Sequence, residues 1–331
     1  MKVTEEEIRP EKVFNEYLEL TEIDTVTFFS NADSFEISCP SCGSSDSEEW
    51  VKKSLFTYKS CPSCHTIYVS PRPVIESFNA YYTDSPSTKF WATTFYKITE
   101  AARREKLWKP KAEMIKQRIV KFGEGEPVEY IIDIGGGYGV FDEEIKAIMD
   151  IKAIVIEPSV HLAQICRDKG LEVVEKFMEE ILADELPAGR KCYVSFELFE
   201  HLHDPARFLK TVFNCMNKGD MFIFTTLSGM GIDIQLLGEH AKALSPPHHL
   251  NFLNPKSVTA LLEKNGFKVL EAITPGKLDI DILKKNKEYI NNIFWKNVLD
   301  YLNETELSRL QDFIASSGLS SHMMISCIKP C

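Results

Sequence analysis

Val128-Glu129-Tyr130-Ile131-Ile132-Asp133-Ile134-Gly135-Gly136-Gly137-Tyr138-Gly139 is the stretch that decides the fold. Its first seven residues are a short, mostly apolar run, the pattern of a strand buried on both faces of a parallel sheet. The glycines end that strand in a turn, and Phe141 to Met149 then carries a helical pattern. Strand, glycine turn and helix together aim backbone N–H groups and a helix N-terminus at a ligand. Further on, Lys152-Ala153-Ile154-Val155-Ile156 reads as the second strand and ends at Glu157. An acidic side chain there can accept hydrogen bonds from both hydroxyls of a ribose.

A glycine-rich turn alone does not discriminate among nucleotide-binding sheets. The dinucleotide fingerprint Gly-x-Gly-x-x-Gly, started at Gly135 and Gly137, places its last position on Val140. The spacing here is instead Gly135-x-Gly137-x-Gly139, with Asp133 two residues ahead of the first glycine. That combination resembles motif I of the class I S-adenosylmethionine-dependent methyltransferases. The resemblance implies an α/β Rossmann-like fold with a seven-stranded, mostly parallel sheet. It also implies S-adenosylmethionine as cofactor, bound by Asp133, Gly135, Gly136, Gly137, Tyr138, Glu157 and Pro158.

The resemblance continues downstream. Leu171-Glu172-Val173-Val174 reads as a third strand, and Phe177-Met178-Glu179-Glu180 follows where the family forms its adenine pocket, which adds Met178 to the cofactor residues. Cys192 to Phe196 reads as the fourth strand and leads into Glu197-Leu198-Phe199-Glu200-His201-Leu202-His203-Asp204-Pro205. That segment is similar to the Glu-His-Leu-x-Asp-Pro stretch of the small-molecule branch, including ubiquinone-type O-methyltransferases, and places Phe196 and Glu197 beside the cofactor. Met221 to Thr226, Lys268 to Leu270 and Ser321 to Ile328 read as strands five to seven, with a helical insertion at 279–317. Asp204-Pro205 supplies an N-cap followed by Pro at the first helical position, a structural duty rather than a catalytic one. Gly266 reads as a helix stop.

Toward the N-terminus, Cys39-Pro40-Ser41-Cys42 recurs as Cys61-Pro62-Ser63-Cys64 after eighteen intervening residues. Two such knuckles bring four thiolates to the corners of a tetrahedron around one Zn2+. A redox Cys-x-x-Cys would come once, in a βαβ setting, so duplication favours metal. Four thiolates close the coordination sphere, which predicts a structural staple rather than a catalytic ion. His65 follows as a bystander, and Gly43 sits where the tight knuckle turn welcomes a residue without Cβ.

These landmarks divide the chain into an acidic N-terminal segment (1–35), a zinc ribbon (36–73), a helical linker and candidate substrate lid (74–122), and a methyltransferase domain (123–331). Pro71-Arg72-Pro73 closes the ribbon, and Gly123-Glu124-Gly125-Glu126-Pro127 breaks the chain before the last domain. The linker is dense in aromatics. Most belong to a helical interface, while Tyr81, Tyr82 and Tyr96 are candidates for the substrate pocket.

Composition limits the partners. The 331 residues carry 38 Lys and Arg against 49 Asp and Glu, a formal charge of −11 without a dense basic run. Such a chain repels phosphate backbones, so a nucleic acid partner is not expected. No Asn-Pro-Pro-Tyr or Asp-Pro-Pro-Tyr segment follows the fourth strand, which speaks against methylation of nucleobases or amides. No window approaches the eighteen apolar residues of a membrane span, and no signal peptide opens the chain. Besides the four clustered cysteines, Cys166, Cys192, Cys215, Cys327 and Cys331 are scattered singly, so a reducing, cytoplasmic setting is expected. The sequence sets no oligomeric state.

Methyl transfer from a sulfonium is an in-line displacement that needs alignment and often removal of a proton from the acceptor. The loop after the fifth strand contains Ser245-Pro246-Pro247-His248-His249-Leu250, and His201 ends the fourth strand at the sheet edge that binds ligands. His249, His248 and His201 are therefore the candidate acid/base residues. The alternative is that they pin loops through backbone hydrogen bonds. The loop is similar to the Tyr-His-Glu-His-Leu segment of sugar C-methyltransferases, which also carry an N-terminal zinc-binding domain. Matched on His-Leu, His249 takes the acid/base position, while His248 stands for the Glu and Pro246 for the Tyr. This second resemblance implies a sugar or nucleotide-sugar acceptor from glycan biosynthesis. A quinone-like or other hydroxylated metabolite is the alternative acceptor, and a non-catalytic zinc-ribbon module that senses cofactor is the alternative of a different class.

Overall fold

The computed structural model describes residues 5–123, 125 and 127–330, with the side chain of Glu5 excluded. Residues 1–4 of the N-terminal segment, Glu124 and Glu126 of the glycine-containing break, and Cys331 lie outside the described residues. In chain order the strands are β1 (Ser34–Phe35), β2 (Glu48–Lys53), β3 (Phe56–Ser60), β4 (Ile67–Val69), β5 (Arg72–Pro73), β6 (Tyr130–Ile134), β7 (Lys152–Ile156), β8 (Glu172–Val174), β9 (Lys191–Phe196), β10 (Met221–Leu227), β11 (Asn251–Phe252), β12 (Lys268–Ile273) and β13 (His322–Ile328).

Seven of them form the central sheet in the order β12-β13-β10-β9-β6-β7-β8. Every pairing from β10 to β8 is parallel, and only β13 runs against its neighbours β10 and β12. This is the expected α/β, mostly parallel, seven-stranded arrangement. Its physical cause is visible in β6, β7 and β9, whose residues are buried almost end to end because helices cover both faces. One face buries Ile132, Tyr193, Phe222 and Phe224 against the helices Pro205–Cys215 and Pro255–Lys264. The other buries Ile131, Val194 and Ile223 against Lys109–Phe122 and Val140–Ile148. Asp204 caps the helix Pro205–Cys215 by accepting from the Arg207 N–H at 3.0 Å. Gly266, at φ +93°, ends the helix before β12.

The ribbon strands β2, β3 and β4 form an antiparallel sheet whose fourth strand is β11, from the loop after β10. The ribbon's sheet is thus completed from the half of the chain that carries the central sheet. Phe56, Tyr58, Ile67 and Val69 share one core with Leu237, Leu250 and Phe252 and with Leu283, Leu299 and Ile314 of the insertion. Arg72 fastens the junction. Its side chain is 1% exposed and donates to the carbonyls of His203 (2.6 Å) and Leu250 (3.3 Å) and to Asn251 Oδ1 (2.8 Å).

Between the two sheets the chain is nearly continuous helix from Ile75 to Phe122. It breaks at Ser85 before Pro86, and π-helical turns occupy Trp91–Phe95 and Arg104–Trp108. The N-terminal segment is also helical, and Glu11–Phe29 packs against Pro86–Phe90 and the first π turn.

Candidate functional site

The glycine turn after β6 is tight because its conformation demands glycine. Gly135, Gly137 and Gly139 all have positive φ, at +73°, +57° and +64°. The three differ in what surrounds them. A Cβ on Gly139 would lie 2.3 Å from Leu171 Cδ1, so this glycine serves packing between turn and sheet. A Cβ on Gly137 would meet nothing within 4 Å, so the turn is open there and a ligand can approach the backbone. Gly136 rests on Asp133 Oδ2 and Val155.

Glu157 accepts from the N–H groups of Gly137 (3.0 Å) and Ser159 (2.9 Å), which fixes it beside the turn; Pro158 lies between. Burial raises its pKa, and those two hydrogen bonds oppose the rise. Asp133 is 1% exposed, with Oδ1 unpartnered. Burial, then the charge of Asp142, raise its pKa well above the usual carboxylate range. Asp142 is buried too, and burial pushes it up to about 6. Tyr138 stacks flat on Tyr96, ring centroids 3.6 Å apart, which joins the linker helices to the glycine turn. Met178 is buried, and Phe196 packs between Phe141 and Trp108 under the Lys111 ammonium.

Orphaned Asp133 Oδ1, open space over Gly137 and a positioned Glu157 form a donor and acceptor set that fits S-adenosylmethionine. The geometry is that of the class I methyltransferase fold. The methyltransferase domain family model matches residues 103–272, just over half of the chain, and the protein belongs to that family as a class I S-adenosylmethionine-dependent methyltransferase. No curated protein matches the chain. Among solved structures it is similar to an S-adenosylmethionine-dependent methyltransferase from Clostridium acetobutylicum, with 11% identity, 72% of this chain and 98% of that one covered, and a TM-score of 0.45. It is also similar to one from Archaeoglobus fulgidus (17% identity, 66% and 94% covered, TM-score 0.44). A third is a cyclopropane synthase from Mycobacterium tuberculosis (18% identity, 65% and 84% covered, TM-score 0.41).

A second constellation stands at the carboxyl ends of β9 and β10. Glu197 has φ +53°, an uncommon conformation for a residue with a side chain. It accepts from Thr225 Oγ1 (2.7 Å) and His322 Nε2 (3.0 Å), with Lys111 Nζ at 3.7 Å. Burial works against its charge, but His322, Lys111 and Thr225 together hold the carboxyl well below its ordinary range. Three residues on, Glu200 is 1% exposed and accepts from Thr226 Oγ1 at 2.8 Å. Burial, then the charge of Glu197, raise its pKa to about 8.

His201, His248 and His249 converge here, with His201 ring centroids 5.9 Å from His248 and 4.8 Å from His249. Nδ1 of His249 lies 2.6 Å from the Ala243 carbonyl. A carbonyl only accepts, so Nδ1 carries the proton and Nε2 keeps the lone pair. Nε2 of His248 lies 2.7 Å from the Tyr17 hydroxyl and 2.8 Å from that of Tyr81. Tyr82, 42% exposed as a residue, turns its hydroxyl toward His201 Nδ1 at 3.4 Å. Burial lowers all three imidazoles, His248 to about 3 and His249 to about 4, so they are neutral at pH 7.

The sequence reading named the three histidines and Tyr81, Tyr82 and Tyr96, but Tyr96 stands apart from the others, at the glycine turn. It missed two residues. Glu200 lay inside a quoted motif, and a carboxylate next to His201 was the available signal. Tyr17 carried no local signal, because only the packing of helix Glu11–Phe29 brings it to His248.

In the ribbon, Cys39, Cys42, Cys61 and Cys64 bring one sulfur each within 4.8 Å of all the others. The pairs Cys39–Cys64 and Cys42–Cys61 are 3.5 and 3.6 Å apart, near the roughly 3.8 Å of four sulfurs bound tetrahedrally to zinc. The donor set fits Zn2+. His65 has φ +58° and donates its backbone N–H to the Cys61 carbonyl, as Gly43 at φ +80° does to Cys39, so it fills the turn position of the second knuckle. Among the described residues no helix is long and apolar enough to cross a membrane.

Proposed function

We propose that the chain methylates a small hydroxylated molecule, a sugar or nucleotide-sugar intermediate of glycan biosynthesis. The observation that carries this reading is the convergence of His201, His248 and His249 with Tyr17, Tyr81, Tyr82 and Glu200 at the carboxyl edge of the sheet. So many hydrogen-bonding side chains beside the cofactor turn suit a polyhydroxylated acceptor better than an apolar one.

When bound, S-adenosylmethionine supplies the electrophilic methyl group. Asp133, Gly135, Gly136, Gly137, Tyr138, Glu157 and Pro158 hold it at the glycine turn, with Met178, Phe196 and Glu197 closing the pocket further along. His249 offers Nε2 to the acceptor's proton, and its Nδ1–H to Ala243 keeps that lone pair oriented. Burial weakens His249 as a base, so it takes the proton only as the acceptor is methylated. The Glu200 carboxyl, raised to about 8, is a neutral acid at pH 7 that donates a hydrogen bond rather than accepting the proton. His248, held between Tyr17 and Tyr81, and Tyr82 on His201 shape the acceptor side, while Tyr96 supports the turn through Tyr138. The four ribbon cysteines hold a structural Zn2+ that keeps β11, and with it His248 and His249, in place. The same organisation is proposed for the chain as a whole, with 36–73 as ribbon, 74–122 as lid and 123–331 as catalytic domain.

The aromatic rings of Tyr17, Tyr81 and Tyr82 around His248, with Trp91 behind Tyr17, support a second reading in which a planar, quinone-like acceptor stacks there. Transfer of labelled methyl groups to nucleotide sugars and to catechol-type acceptors separates the two. The preferred reading expects turnover with a nucleotide sugar and a kcat lowered roughly 100-fold or more in His249→Ala, with cofactor affinity unchanged. Turnover confined to catechol-type acceptors overturns it.

A further inference from the structure

Glu200, His201 and His249 each present one ligand atom, and the three lie within 4.8 Å of one another. We propose that this trio is a second metal site, distinct from the ribbon, that takes one divalent cation of the Zn2+, Co2+, Mn2+ or Fe2+ class.

Two imidazoles and one carboxylate are a donor set for such borderline ions, rather than for Ca2+ or Mg2+, which prefer all-oxygen shells. Donors bound 2.0–2.2 Å from a common centre stand roughly 3 to 3.5 Å apart, so from the 4.8 Å limit the trio closes by at most roughly 1.3 to 1.8 Å on binding. The surroundings already do what outer-shell groups do at metal sites. Ala243 takes the Nδ1 proton of His249 at 2.6 Å and leaves Nε2 as the ligand atom. Thr226 orients one oxygen of Glu200 at 2.8 Å. His248 is excluded, because its Nε2 is committed to the hydroxyls of Tyr17 and Tyr81.

An independent observation points the same way. Glu200 is a carboxylate 1% exposed, yet among the described residues no Lys or Arg nitrogen forms an ion pair with it. A buried carboxyl without a charged partner keeps its proton, and a divalent cation would displace that proton and supply the missing positive charge. Lys111, whose charge reaches Glu200 without pairing with it, stands 3.7 Å from Glu197 instead. His201 and His249 are only partly buried, so a bound cation keeps open coordination positions toward the acceptor space.

The binding claim stands on the trio alone. Its consequence rests on the proposed acceptor site: a cation takes the lone pair on His249 Nε2, so metal occupancy and proton transfer by His249 exclude each other.

The test loads the protein with one equivalent of Zn2+ per chain, which the four ribbon thiolates take first and which is spectroscopically silent, and then titrates with Co2+, following heat and the visible spectrum. The expected result is one further equivalent per chain, with weak d–d bands and no thiolate-to-metal charge-transfer band. Glu200→Gln and His249→Ala should each weaken that equivalent at least tenfold. Both keep the ribbon cysteines, so bound zinc measured by emission spectrometry confirms that each variant is folded. No further equivalent, or an equivalent unchanged in both variants, overturns the proposal. A charge-transfer band, meaning cobalt only at the ribbon, overturns it too. Cofactor binding and methyl transfer are read separately on the same preparation, so failure here leaves the acceptor reading standing, and the reverse.

Discussion

Removing the two hydroxyls that meet at His248 tests whether the N-terminal helix is part of the site or merely lies over it. His248 is 7% exposed, and its Nε2 has Tyr17 Oη at 2.7 Å and Tyr81 Oη at 2.8 Å. One ring nitrogen carries either one proton or one lone pair, so it makes one strong hydrogen bond at a time. The two hydroxyls therefore substitute for each other. Tyr17→Phe leaves Tyr81 to satisfy the nitrogen, and Tyr81→Phe leaves Tyr17. Each keeps the ring packing; Tyr17→Phe should cost less than about 1 kcal/mol, and Tyr81→Phe about 1 kcal/mol more because its hydroxyl also meets the buried Ser87 Oγ at 2.9 Å. The double variant strands a buried nitrogen and adds about 1–3 kcal/mol of unpaired desolvation. The double should thus exceed the sum of the singles by about 1–2 kcal/mol, far outside the additivity of independent sites. Urea midpoints at unchanged slope measure this, and the assay of acceptor methylation should fall sharply only in the double. Costs that add to within about 0.5 kcal/mol would falsify the shared-partner geometry.

Three further outcomes concern other parts of the molecule. Gly139→Ala should destabilise by about 2–4 kcal/mol, since its Cβ meets Leu171 at 2.3 Å and Cys166 at 3.1 Å in a left-handed conformation. Gly137→Ala should cost only about 1–2 kcal/mol of strain, because nothing lies within 4 Å. It should nevertheless cut S-adenosylmethionine affinity at least tenfold in a calorimetric titration; equal affinity in both proteins sinks the view that this turn is the cofactor's cradle. Asp233 offers a pH test. Burial, then the charge of Asp279, raise its pKa from 3.8 to about 7, and its Oδ1 has no partner. A raised carboxyl contributes stability below its unfolded pKa and loses it as pH climbs through the folded value. Stability should therefore fall between about pH 4 and 7 by an amount on the order of 4 kcal/mol at most. Asp233→Asn should flatten that slope in denaturation curves taken across this range, and an unchanged slope would assign the pH dependence elsewhere.

Much of the fold was legible because its signals are local. Lys152–Ile156 occupies the same residues as strand and as sequence run, and β9 and β13 begin within a residue of their expected starts. The sheet's apolar runs, glycine turn and Asp204-Pro205 cap are each fixed by neighbours a few residues away. The run at Val128 overshot the strand because Val128 and Glu129 precede the paired residues, although Val128 is buried at 8%. The acidic N-terminal segment gave no hint that Glu11–Phe29 would reach the histidines, since a surface helix declares its apolar face but not its destination.

The sequence by itself determined the strand order's raw material, the cofactor turn with its spacing, the paired cysteine knuckles and the membership of three histidines in two loops. Those features depend on backbone preferences and ligand spacing, which residues carry wherever the chain goes. Only the tertiary structure decided that β11 completes the ribbon sheet, that Arg72 is swallowed between two loops, and that Tyr17 and Tyr81 share one nitrogen of His248. Contacts between Tyr17 and His248 span 231 positions of chain. Their existence depends on which apolar faces can be buried together, a property of the whole packing that no local pattern encodes. The same holds for Glu200: as one acidic residue among 49 it is ordinary, and only burial beside two imidazoles gives it chemistry.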